Sequence, residues 1–327
     1  MGNCFSVSKK STSEIRPYDC IKPSSPTVKL YGSPSSTLTA YVRFALLYKS
    51  VSPRFLPSET QPDTVLQIGS ETVSGPPREA LLRFIESKFP HPPLRLNDDS
   101  IDCEEDQTTP CIVRVTWLQH KSVMWHVERM VRWAEDLAKR GGRTAVDPLV
   151  GSPRMEVRKF GNSYSQLLEL MLEHAQMEER IVFPLLEKAD PGTCKVANKE
   201  HARDLPLMNG IKEDIKSVGV LDSGNPCYQE ALSNLSTRFK SLQKHCKEHF
   251  ELEERDLLPL IEAMELSREQ EKRILVQCLG VMQGTHSHLF NFFLEGLLPQ
   301  EAMQYLDLIM ECSDKEGTMS MSHMGVG

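Results

Sequence analysis

His174-Ala-Gln-Met-Glu178-Glu179-Arg180-Ile-Val-Phe-Pro184-Leu185-Leu-Glu187 recurs 75 residues later as His249-Phe-Glu-Leu-Glu253-Glu254-Arg255-Asp-Leu-Leu-Pro259-Leu260-Ile-Glu262, with seven of fourteen positions identical. In each copy a His and a Glu stand four residues apart, which puts both on one face of a helix, roughly 5–6 Å from each other. One such pair offers a cation an imidazole nitrogen and a carboxylate oxygen. Two such helices packed face to face offer two of each, enough to frame a pair of metals with bridging carboxylates. Leu167, Leu168, Met171, Ile181 and Leu185 continue the stripe bearing His174 and Glu178, and Phe239, Leu242, Leu257 and Leu260 lie close to the second stripe. Polar groups on an apolar stripe are costly unless paired or metal-bound. A single copy reads as a core hydrogen bond; two copies in the same context point to a metal.

Apolar periodicity predicts long helices at about 112–140, 155–189, 195–217 and 226–265, then shorter ones at 267–280, 282–296 and 300–312. Ser267-Arg268-Glu269-Gln270 is a capping box, and Gly141-Gly142 closes the first long helix. The other two long helices should supply further imidazoles. In the first, His120 lies on the stripe of Val113, Trp117, Val127 and Val131, whereas His126 falls on another face. The stretch from His120 to Gly141 also matches the stretch leading to His174 in an antiparallel hairpin, so His120 is chosen. His201 is the one imidazole of the third helix. His245 is read as a supporting or surface group, and His286 and His288 as structural.

This order of His, His-x-x-x-Glu, His, His-x-x-x-Glu-Glu resembles the hemerythrin-like (HHE cation-binding) domain over about 112–265. Both Glu-Glu-x-x-x-x-Pro extensions also look like the hemerythrin-like domains of iron-sensing ubiquitin ligases, although no C-x-x-C zinc spacing accompanies them. The resemblance implies a four-helix bundle and a di-iron centre, oxo- or hydroxo-bridged, bound by His120, His174, Glu178, His201, His249 and Glu253. Other divalent cations are alternatives, and O2 or a small redox ligand is the implied guest. The sequence departs from oxygen-carrying hemerythrins at Leu205, where a second third-helix His would sit. None of the six residues is a thiol, and four imidazoles with two carboxylates suit iron better than zinc or copper.

Ahead of the bundle, Thr27 to Gly32 reads as a strand, Thr37 to Ser50 as an amphipathic helix, 52–57 and 64–73 as two further strands, and Arg78 to Phe89 as a helix. This order resembles the first domain of glutathione transferases, a thioredoxin-like fold. Gly32-Ser33-Pro34-Ser35-Ser36 stands where that family keeps its catalytic hydroxyl or thiol. The proline that shapes the family's glutathione pocket, expected just before the third strand, is missing, since the chain there reads Asp63-Thr64-Val65. The domain is therefore expected to be a non-catalytic scaffold. The resulting organisation is a tail (1–26), a small α/β domain (27–95), an acidic linker (96–111), a helical domain (112–315) and a polar tail (316–327).

The chain has 327 residues, long enough for two cored domains, and a net charge of −7 that argues against nucleic acid as a partner. No apolar run approaches about 18 residues, so no transmembrane helix is expected. A secretory signal is not expected either, because Lys9 and Lys10 lead into polar residues. Nine cysteines without a C-x-x-C pair read as reduced thiols. The first 50 residues carry seven basic and two acidic side chains, net +5, which leaves −12 for the remainder. Met1-Gly2-Asn3-Cys4-Phe5-Ser6 fits the N-myristoylation pattern at Gly2, with Cys4 placed for a palmitate. One myristoyl chain binds a bilayer at only about 10⁴ M⁻¹, so Cys4 and the basic residues would supply the second signal. Taken together, these features predict a lipid-anchored metal-binding protein on the cytoplasmic face of the plasma membrane that senses or buffers iron, oxygen or redox state. A di-iron oxidase or peroxide-handling enzyme is the alternative, with a metal-free helical adaptor behind it. The reading favours binding over catalysis.

Overall fold

The computed structural model describes residues 27–58, 64–75, 77–94, 109–141, 152–222 and 225–313. The anchor and both tails lie outside these residues, as does nearly all of the linker expected at 96–111.

Val28–Gly32 forms β1, Thr37–Tyr48 α1, Arg54–Pro57 β2, Val65–Ile68 β3, Glu71–Ser74 β4 and Arg78–Lys88 α2. The sheet runs in the order β2-β1-β3-β4, with β1 and β2 parallel and the other pairs antiparallel. Two parallel neighbours need a crossover, and α1 provides it. Its first turn is capped by the Ser36 hydroxyl, which accepts the Thr39 N–H. This is the thioredoxin-like arrangement. The stretch expected as one strand at 64–73 is instead the hairpin β3-β4, turned at Gly69-Ser70, where Gly69 takes a φ of 62° that suits glycine. Leu30 and Leu66 are fully buried in the sheet, with Leu46, Leu81 and Ile85 from the helices also at the bottom of the accessibility range.

Cys111–Arg140 is α3 and Pro153–Met177 is α4, which runs through a π turn at Glu178–Val182 into α5 (Phe183–Ala189). Lys195–Val220 is α6, and Pro226–Leu252 is α7, which runs through a second π turn at Glu253–Leu257 into α8 (Leu258–Glu262). α3 packs on α4 and α7, and α6 packs on α4 and α7, closing a four-helix ring. Phe239 fills its centre, edge-to-face with Phe160 and Tyr164 at 5.4 and 5.3 Å between centroids. Inside such a ring every inward side chain loses its water, so a polar residue there must find a partner.

Arg268–Val281 is α9, opened by the expected capping box at Ser267 and Gln270. The helix expected over 282–296 is helical only at Phe290–Glu295 (α10). Before it the chain is tied down in turns, because the Glu173 carboxylate accepts the Gly284 N–H, the Thr285 N–H and the Thr285 hydroxyl, each at 2.7 Å. Those bonds replace the helical ladder. The last helix, α11 (Pro299–Ser313), packs on α1 as well as on the bundle. The Asp307 carboxylate accepts from Arg78 Nη1 at 2.6 Å and from the Tyr41 hydroxyl at 3.1 Å, with the guanidinium 4.8 Å over the Tyr41 ring. The helical region after the linker is therefore not self-contained: its final helix forms the seam with the α/β domain.

α10 docks on α3 through two bonds at 2.7 Å, the Ser122 hydroxyl donating to Phe293 O and His126 Nε2 to Phe292 O. A Cβ at Gly296 would stand 2.8 Å from Ser122 O and 2.9 Å from Ser122 Cα. Backbone atoms cannot rotate away. Gly296→Ala should therefore cost about 1–3 kcal/mol in urea unfolding; an unchanged midpoint would mean that this seam yields freely.

Candidate metal centre

The local sequence makes the two halves of the centre alike. Pro184 and Pro259 have no N–H to return to the carbonyl four residues back. In both copies a wide turn precedes the proline, with Phe183 N–H bonded to Glu178 O and Leu258 N–H to Glu253 O, five residues apart. Each π turn begins at the glutamate of the His-x-x-x-Glu pair, and such insertions in α-helices often mark functional positions. The turn leaves Glu178 and Glu253 facing the bundle axis, where both are buried, and their neighbours Glu179 and Glu254 facing sideways.

All six residues singled out in the sequence come together here. They form two overlapping groups, His120, His174, Glu178 and Glu253 on one side and Glu178, His201, His249 and Glu253 on the other, with the donor atoms of each group within 4.8 Å of one another. The two glutamates belong to both groups, one oxygen toward each. Glu178 Oε1 lies 3.2 Å from His174 Nε2 and its Oε2 3.4 Å from His201 Nε2. Glu253 Oε2 lies 3.3 Å from His120 Nε2 and its Oε1 3.5 Å from His249 Nε2.

The opposite edge of every imidazole is held. His120 Nδ1 donates to Glu254 Oε1, His174 Nδ1 to Gln119 Oε1 and His201 Nδ1 to Glu179 Oε1, each at 2.9 Å, and His249 Nδ1 donates to Glu200 Oε2 at 3.0 Å. With the Nδ1 proton committed outward, each Nε2 presents a lone pair inward. His120 Nε2, His174 Nε2, Glu178 Oε2 and both Glu253 oxygens are buried without a hydrogen-bond partner. His201 Nε2 and His249 Nε2 face each other at 3.0 Å, a spacing that is satisfied by a proton carried on one of them or by a cation held between both. Orphaned acceptors converging in a buried space are what a metal site needs, and the residues fit two cations bridged by carboxylates.

Three further histidines are engaged elsewhere. Burial and nearby Arg129 push His126 down to about 3, and it stacks on Phe292 at 3.8 Å. His245 bonds Asp204 at 2.8 Å, and His288 sits near Glu169 at 3.0 Å. Leu205 is exposed on α6. Buried thiols stand nearby but outside the groups: burial, with carboxylates behind it, raises Cys194 to about 11 and Cys278 to about 12. Between α3 and α7 an open groove of about 620 Å³, lined by Trp117, Lys121, Met124 and Phe250, reaches the His120–Glu254 pair at the rim of the centre. Gln119 and Glu200 escaped the sequence reading, since a side chain that braces a ring from another helix leaves no spacing to read. Glu179 and Glu254 were visible as the second glutamate of each copy.

Without metal, protons take its place. Burial opposes a charge on His201, but Glu178 and Glu179 outweigh it and raise its pKa to about 9. Burial likewise opposes a charge on His120, yet Glu178, Glu253 and Glu254 hold it well above the ordinary imidazole value. Burial pushes His174 down to about 3 despite Glu178. A folded-state pKa raised above about 6.5 stabilises fully below that value, and the benefit is lost as pH rises through the folded pKa. The metal-free protein should therefore lose thermal stability between pH 6.5 and 9.5, and His201→Gln should flatten that slope, by up to about 3 kcal/mol. Identical slopes for parent and variant would rule out a charged His201 in the metal-free state.

Comparison with known proteins gives the region a name. Residues 111–270 match the family model of the hemerythrin HHE cation-binding domain. No curated protein matches the chain. Among solved structures, maleylacetoacetate isomerase from Anaeromyxobacter dehalogenans, with bound dicarboxyethyl glutathione and citrate, aligns at 12% identity and a TM-score of 0.22, covering 91% of this chain and 99% of that one. The matched span holds the four long helices, both π turns and all six converging His and Glu side chains: residues 111–270 of the chain are the region that the hemerythrin HHE cation-binding domain describes.

Proposed function

We propose that the centre holds two irons and that the protein senses or buffers iron, oxygen or redox state beneath the plasma membrane, where lipids on Gly2 and Cys4 hold it to the inner leaflet. The observation that carries the metal reading is the set of buried, unpartnered acceptors on His120, His174, Glu178 and Glu253. The donor set supports iron: imidazoles and carboxylates without a thiol serve a metal that changes oxidation state better than they select zinc. A bound iron pair would supply a reversible one- or two-electron change.

The protein's own residues then do three things. Glu178 and Glu253 offset cation charge in a dry interior. The Nδ1 bonds keep four rings from turning. The groove between α3 and α7 brings a small ligand such as O2 to the rim at His120 and Glu254 without opening the bundle. Metal uptake must also release the protons that His120 and His201 carry in its absence.

Protein produced with iron available should contain about two irons per chain. Stoichiometric zinc with no iron, even under reducing anaerobic conditions, would sink the assignment. Glu178→Ala or Glu253→Ala should lose at least one metal, whereas Glu179→Ala and Glu254→Ala should keep both. Iron should accordingly raise the melting temperature of the parent and of Glu179→Ala far more than that of Glu178→Ala. Equal stabilisation of all of them would mark the His-x-x-x-Glu pairs as ordinary core contacts.

For the anchor, Gly2→Ala should move the protein from the membrane to the soluble fraction, and Cys4→Ser should weaken association in part. Retention of both variants as firmly as the parent would remove lipidation from the account.

A further inference from the structure

The groove between α3 and α7 is larger than a route for O2 requires. Its volume of about 620 Å³ lies in the range of sites that take small organic molecules, roughly 300–1,000 Å³. A molecule the size of water occupies only about 30 Å³. The floor is apolar. Trp117 and Met124, seven residues or about 10 Å apart along α3, line it together with Phe250 of α7. Periodicity puts Trp117 on the stripe that bears His120, yet it is 39% exposed and faces the groove instead of the core. Aromatic and apolar side chains along a concavity, with a few polar groups beside them, are the usual make-up of a small-molecule site.

The polar groups beside this floor are biased toward positive charge. Four lysines line the groove against three glutamates, in a chain whose acidic side chains outnumber its basic ones 45 to 38. Two of the lysines are committed elsewhere. Lys121 pairs with Glu301 and holds its ammonium 3.6 Å from the Trp117 ring centroid, and Lys240 pairs with Glu135 at 2.8 Å. Lys244 and Lys247 are held loosely, by Glu248 at 3.8 Å and Glu251 at 3.7 Å, in exposed pairs of a kind that contribute little. Three residues apart, these two ammoniums stand on one side of α7. Of the lining glutamates, Glu254 is engaged by His120 and Glu128 faces Arg132 at 3.6 Å.

An apolar floor with two loosely held ammoniums beside it suits an amphipathic monoanion. A polyanion would meet the three glutamates of the same walls, whereas a single acid group can settle on Lys244 and Lys247 alone. We propose that the groove is a binding site for one long-chain carboxylate, a fatty acid in chemical class, its chain on Trp117, Met124 and Phe250 and its acid group on Lys244 and Lys247. Phe250 is then the wall between this site and the metal centre, for its ring stacks on His120 at 4.1 Å with an interplanar angle of 11°. The site uses none of the inward-facing donor atoms, so it stands apart from the iron reading.

Calorimetric titration of the full-length protein with dodecanoate, kept below its micelle concentration, tests the site. One saturable site per chain is expected, with a change in tryptophan emission. Trp117→Ala should weaken binding about tenfold and abolish the emission change, because Trp125 and Trp133 do not line the groove. Lys244→Gln combined with Lys247→Gln should weaken dodecanoate about tenfold, while dodecanol, the same chain without the charge, binds this variant and the parent alike. Lys212→Gln combined with Lys216→Gln removes the same charge from an exposed part of α6 and should change nothing. Melting temperatures of the variants separate loss of the site from loss of the fold, and the exposed lysine pair keeps the test open if Trp117→Ala unfolds. No saturable binding, equal weakening by both lysine pairs, or binding that the groove variants leave unchanged would overturn the proposal. Binding to phosphatidylserine vesicles without binding of monomeric dodecanoate would assign the lysines to a bilayer surface and overturn it as well.

Discussion

Glu178 and Glu253 put two carboxylates in the dry middle of a helical bundle, their oxygens no more than 4.8 Å from the same imidazoles and from each other. At that separation two bare charges repel by on the order of 4 kcal/mol even in a moderately polarisable interior, before the loss of hydration is counted. The pair survives only if positive charge is brought in. The effect shows in the metal-free state: burial and then Glu178 raise Glu253, while Glu178, which burial would also raise, is held well below the usual carboxylate range by His174, His120 and His201. Protons on His120 and His201 are one source of that charge, and cations are the other. Much of the surrounding structure serves this constraint: the π turns that aim the two glutamates, the outward Nδ1 bonds and the closed ring of four helices.

The repeat explains why so much of the centre was legible in the sequence. A His and a Glu four residues apart on an apolar stripe are local facts, and their recurrence 75 residues on is a second local fact. His120 was separable from His126 because the two fall on different faces of α3; one points into the cluster and the other bonds Phe292 O. What stayed hidden depends on distance across the fold. Gln119 braces a ring 55 positions away, and Glu200 one 49 positions away. The π turns were concealed for another reason. Glu-Glu-x-x-x-x-Pro displays the proline that prompts the wide turn, but apolar periodicity tolerates one extra residue without breaking its stripe. The same averaging turned the hairpin at Gly69 into a single strand and carried a helix through 282–289, where Glu173 captures the backbone instead.

The α/β domain has a simpler physical role than its topology suggests. Thr64 is buried with its hydroxyl 2.9 Å from that of Thr39, and Thr39 in turn presses on Gly32, whose added Cβ would stand 2.3 Å from the Thr39 hydroxyl. Side chains occupy the junction of β1, α1 and β3. Among the contacts that this domain directs outward, Tyr41 and Arg78 reach Asp307 on α11, and Pro34 O accepts from Asn291 Nδ2 on α10 at 3.3 Å.

α11 is thus fixed from two sides. Asp307 faces the α/β domain, and Tyr305, two residues earlier, is fully buried with its hydroxyl 2.8 Å from His286 Nε2. Neighbours two apart on a helix point in nearly opposite directions, about 200° around the axis, so one short segment can touch the α/β domain with one side chain and His286 with the other. Rotating or sliding α11 would break both contacts together. The α/β domain therefore helps to hold the register of α11 against the bundle, through Asp307 on one side of that helix and Tyr305 on the other.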